Sequence, residues 1–93
     1  MRAGLRPLYQ DDRIQEVVYD WVITHPTSHR GFGSRAAAFS FPVGEVVAWG
    51  YATPQAAVAG WLRSPGHRSI ILDLDATRCG FHFDRDYYGG IVG

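Results

Sequence analysis

Ninety-three residues with nine Lys+Arg against nine Asp+Glu form one domain, residues 1–93, whose zero net charge gives no basic footprint for nucleic acid. At 46% hydrophobic and 19% charged, the composition is that of a folded globule and not of a disordered chain. The single cysteine, Cys79, rules out an internal disulfide, and no apolar run approaches the roughly 20 residues of a membrane helix.

The opening MRAGLRPLYQDD is polar from the start and lacks the basic-then-apolar pattern of a signal peptide. Leu5, Pro7 and Leu8 read as an extended lead-in. Asp11 or Asp12 can cap a helix running to about Thr24, because a carboxylate accepts free N–H groups at the positive end of a helix. Ile14, Val17, Val18 and Trp21 recur at the i, i+3, i+4, i+7 spacing of an amphipathic helix. Pro26 disfavours a helical His25 and ends the segment, which gives His25 a helix-end role.

Ser34 can cap a short helix over Arg35–Phe39, where three alanines favour helix. EVVAW, Glu45 to Trp49, is β-branched and apolar and reads as a short, buried strand. Thr53-Pro54 is a hydroxyl cap followed by proline at the first helical position, so a helix runs to about Arg63 with Ala57, Val58, Trp61 and Leu62 inward. Ser64, Pro65 and Gly66 break it, and His67 opens a second helical turn with Ile70, Ile71 and Leu72 on its apolar side.

Residues Thr77 to Asp84 alternate, with Cys79, Phe81 and Phe83 on one face and Arg78, Gly80 and His82 on the other. Cys79 reads as a small core residue and His82 as solvent-facing. Arg85 and Asp86 make the turn of a hairpin whose return strand is Tyr87 to Val92, and the charges from Arg78 to Asp86 form a solvated rim. Gly89 and Gly90 permit a bulge or a close backbone approach. Helices alternating with a terminal hairpin indicate an α+β fold, with helices packed on a small antiparallel sheet.

The stretch Gly60 to Leu72, GWLRSPGHRSIIL, resembles the W-x-x-S-P-G-H-R-x-x-I-L signature of the CAP superfamily: cysteine-rich secretory, antigen-five and pathogenesis-related proteins and their short bacterial relatives. AGLRPLYQDDRIQEVV, SHRGFGSRAAA, GEVVAWGY and RCGFHFDRDYYGGIVG follow other blocks of that family in the same order. The resemblance implies a compact three-layer α-β-α sandwich with a small antiparallel sheet. It also implies a cleft lined by two histidines and acidic residues. Carried over block by block, these are His29, Glu45 and His67. Two imidazoles and a carboxylate suit zinc or another divalent metal.

Three departures from the family pattern stand out. Val46 replaces the usual Asn, Leu62-Arg63-Ser64 lacks a second acid, and Gly90 falls where Gln is common.

The resulting expectation is a metal-binding cleft in a binding or recognition module, with no catalytic residue assigned. Its partner would be a protein, lipid or peptide ligand. The alternatives are a structural module in a larger assembly such as a virus particle, and a metal-dependent hydrolase with Glu45 as base. The resemblance implies an extracellular location; the polar N-terminus leaves a virion or the cytoplasm as alternatives.

Overall fold

The computed structural model describes residues 8–93. The lead-in positions Leu5 and Pro7 lie outside the described residues. Eight elements follow in order: β1 (Tyr9–Gln10), α1 (Asp12–Val22), α2 (Phe32–Ala36), β2 (Gly44–Trp49), α3 (Pro54–Arg63), α4 (Pro65–Ile71), β3 (Arg78–Asp84) and β4 (Tyr87–Val92). The four strands form one sheet in the order β1-β3-β4-β2. The pairs β3–β4 and β4–β2 are antiparallel, as expected, while the two-residue β1 adds in parallel against Arg78 and Cys79.

Alternation along β2 assigns the two faces. Val47 packs with Ile14, Val18, Trp21, Val22 and Ile91 under α1. Val46 and Ala48 pack with Ala57, Trp61, Ile71 and Tyr88 under α3 and α4. Both faces of the sheet are therefore covered, which is the α-β-α sandwich. It also explains why EVVAW is a continuous apolar run and not an alternating one.

The helix boundaries follow from local chemistry. Asp11 accepts from the Ile14 N–H at 3.0 Å and starts α1. Thr53 accepts from the Ala56 N–H at 3.1 Å and starts α3 with Pro54 behind it. Ser64 is extended, with φ −98° and ψ 117°, and ends α3 while beginning α4, so His67 lies in the first turn of α4. The short second helix differs from expectation: it starts at Phe32, not after Ser34. Gly31, at φ 85°, makes the left-handed entry that only glycine adopts readily.

The sheet edges are closed by side chains. The Trp61 indole donates to the Val47 carbonyl at 3.1 Å, on the side of β2 that faces away from β4. The Gln15 amide donates to the Phe81 carbonyl at 2.6 Å and accepts from the Phe81 N–H at 3.1 Å, continuing the pairing where β1 has ended. An open strand edge invites pairing with another chain, and these two side chains blunt it.

α1 approaches β3 and β4 more closely than a side chain would allow. A Cβ on Gly80 would sit 2.7 Å from the Gln15 nitrogen, and one on Gly89 would sit 2.6 Å from a Val22 methyl. Several surface assignments change accordingly. His82 is half-buried, its ring 4.7 Å from that of Tyr19, because α1 lies over that face. Within the expected solvated rim, Arg78 lies over the Phe41 ring at 4.2 Å and Asp84 bonds His25 at 2.7 Å. Val58 points outward, 40% exposed, because only one stripe of α3 reaches the sheet.

Candidate functional site

Glu45 sits on the face of the sheet that also carries Val47, so the alternation aims its carboxylate beneath α1. Its side chain is only 2% exposed. A carboxylate removed from water needs a charged or hydrogen-bonding partner. Arg35, from α2, supplies it with both arms: Nε donates to Oε1 at 2.6 Å and Nη2 to Oε2 at 2.9 Å. The His29 Nδ1 lies 2.8 Å from Oε2 and completes the set.

Arg35 is fixed as tightly as the acid. Its guanidinium lies over the Trp21 ring at 4.3 Å. Nη1 donates to the Arg30 carbonyl at 2.9 Å and Nη2 to the His29 carbonyl at 3.2 Å. Gly31 makes this possible, since a Cβ there would meet Nη1 at 3.0 Å. The His29 ring stacks beside Trp21, with centroids 6.4 Å apart.

The loop carrying His29 is anchored upstream as well. His25 adopts φ 57°, which turns the chain out of α1. Its ring lies flat on Tyr87 at 4.4 Å, and Nε2 bonds Asp84 at 2.7 Å. The expected helix-end role of His25 therefore includes a tie to the hairpin.

An open groove of about 780 Å³ runs alongside this cluster. Its floor includes Val17 and Trp21, and its banks carry Thr27, Ser28, Arg30 and Ser34.

Of the three residues expected to share a site, the structure joins His29 and Glu45. His67 rides on α4, whose Ile70 and Ile71 pack with the cluster on the other face of the sheet. Among the described residues it has no hydrogen bond or ion pair with either partner. Among the same residues, no group of three His, Cys, Asp or Glu is arranged to hold a metal ion. The donor set as placed does not fit a metal, because both Glu45 oxygens are engaged by other side chains.

Arg35 is the residue that sequence reasoning missed. The signal was present: a lone acid inside an apolar strand must find a cation, and every cation in this chain is arginine. Val46, at the position where Asn was expected, is fully buried under α3 and α4. Gly90 lies under the Phe81 ring, where a Cβ would overlap it.

The sequence profile of the cysteine-rich secretory protein family, CAP, matches residues 2–92. This chain belongs to the CAP family.

Solved structures carry the same fold. The CAP domain superposes on an outer surface protein of Borrelia burgdorferi with a TM-score of 0.82 at 22% identity, covering 97% of this chain and 79% of that one. It matches a cysteine-rich secretory protein from Staphylococcus aureus with a TM-score of 0.81 at 19% identity, over 96% of this chain and 32% of that one. An extracellular protein containing an SCP domain from Bacillus anthracis gives a TM-score of 0.81 at 25% identity, over 96% and 34%. In sequence, 45 residues are 49% identical to the uncharacterized membrane protein YlbC of Bacillus subtilis. They make up 48% of the CAP domain and 13% of that protein, so the match spans a small part of the relative's length. Among the described residues of the CAP domain, no helix is long and apolar enough to cross a membrane.

Proposed function

We propose that this CAP domain is a recognition module that binds its partner in the groove between α1 and the His25–Ala38 segment. One observation carries the reading: a groove of about 780 Å³ lies against side chains locked from three directions by Arg35, Glu45 and Trp21. Such preorganisation lowers the ordering cost of binding.

The lining of the groove says what the site would read. Arg30, Ser28 and Ser34 bring hydrogen-bond donors to its banks, which favours a ligand carrying acceptor oxygens.

The matched structures include an outer surface protein and an extracellular protein, which supports display of this domain outside the cell. A metal-assisted or hydrolytic role finds no support in the arrangement of Glu45.

The test is a fragment screen by amide NMR on the intact chain. Shifts concentrated at Thr24–Ser28, Arg30, Ser34 and Arg35 are expected. Hits confined to the outer face of α3, around Val58 and Leu62, would overturn the assignment.

A further inference from the structure

We infer that Arg35 is a tethered cation that occupies the Glu45 carboxylate and closes it to divalent metals. The inference stands on the Arg35–Glu45–His29 geometry and not on the groove reading.

The guanidinium takes one hydrogen bond to each Glu45 oxygen, at 2.6 and 2.9 Å. Its other contacts, to the carbonyls of His29 and Arg30 and to the face of Trp21, hold it in that pose. The planar fork of arginine matches a carboxylate in a way no point cation does. Glu45 is thus neutralised within the fold, with no ion from solvent required.

Distances exclude a bridging metal as well. Two ligand atoms at about 2.0–2.1 Å from a tetrahedral zinc lie about 3.3 Å from each other. The His29 Nδ1 and the Glu45 Oε2 are 2.8 Å apart, the separation of a direct hydrogen bond. The remaining imidazole nitrogen, Nε2, is on the far side of the ring from Glu45. A metal bound to both residues therefore requires Arg35 to leave and His29 to turn. Arg35, which holds both carboxylate oxygens, makes the larger part of that barrier.

The test is calorimetric titration of zinc chloride into the intact chain, alongside Glu45→Gln, Arg35→Gln and the double variant Arg35→Gln/Glu45→Gln, each checked for folding by circular dichroism. The wild type should show no zinc heat that depends on Glu45. Arg35→Gln should bind one zinc at least tenfold more tightly, and the double variant should lose that gain. A wild-type site abolished by Glu45→Gln would overturn the inference, and so would a folded Arg35→Gln no tighter than wild type. Should Arg35→Gln fail to fold, the wild-type amide spectrum in excess zinc decides. Unmoved His29 and Glu45 signals support the closed carboxylate, and displaced ones refute it.

Discussion

The two faces of the sheet solve the same packing problem in different ways. Beneath α3 and α4, the cluster around Val46, Ala48, Ala57 and Tyr88 is mainly apolar, and its polar groups, the Trp61 indole and the Tyr88 hydroxyl, are each met by a backbone carbonyl. Beneath α1, the cluster around Val18 and Ile91 grades into a buried carboxylate held by a guanidinium and an imidazole. The first arrangement is stabilised by area removed from water, and small changes of shape erode it gradually. The second depends on every partner being present, because a buried charge that loses its match keeps its desolvation cost. Both faces carry a buried apolar core, and the ion pair sits on the α1 face.

The sharpest way to break the apolar face is Trp61→Ala. It removes a side chain that is 4% exposed and leaves the Val47 carbonyl unpaired. The expected loss is about 3–5 kcal/mol, read by urea denaturation, against a total of about 5–15 kcal/mol for a domain. A loss below about 1 kcal/mol would mean the indole is not a core anchor.

On the polar face, Arg35→Met should cost about 3 kcal/mol by stranding Glu45. Adding Glu45→Gln should recover part of it. The cycle of the two changes should give a coupling of about 1–3 kcal/mol, and additivity within about 0.3 kcal/mol would deny the pair.

Gly80→Ala tests the close approach of α1 to β3. Its new methyl meets the Gln15 backbone, which cannot swing aside as a side chain could. The expected cost is about 2 kcal/mol, with a lowered Tm.

The smallest effect belongs to His67→Ala, within about 1 kcal/mol, since His67 is half-buried and alanine favours helix. A loss matching that of Trp61→Ala would show that His67 is part of the core.

Much of this was legible in the chain. Asp11 and Thr53-Pro54 each mark a helix start whose partner is three residues away, so capping shows in the sequence. The Ile14, Val18 and Trp21 stripe showed the buried side of α1, and the GWLRSPGHRSIIL stretch showed the bend between α3 and α4. The resemblance brought His29 and Glu45 together correctly. The start of α2 was misplaced because Gly31 enters it by a left-handed φ, and a nearby serine resembles a better cap.

Most helices and strands, and most of the sides that avoid water, could be read from the chain, because caps, prolines and apolar spacing act within a few residues. That Glu45 pairs with Arg35, ten residues earlier, and that His25 ties the end of α1 to a hairpin 59 residues away, became visible in the packed fold. It alone put His67 on a helix that packs against the other face of the sheet. Pairing across layers depends on strand alternation, on a glycine that lets one helix come close, and on the direction each side chain leaves the backbone. None of those is a property of a local stretch of residues.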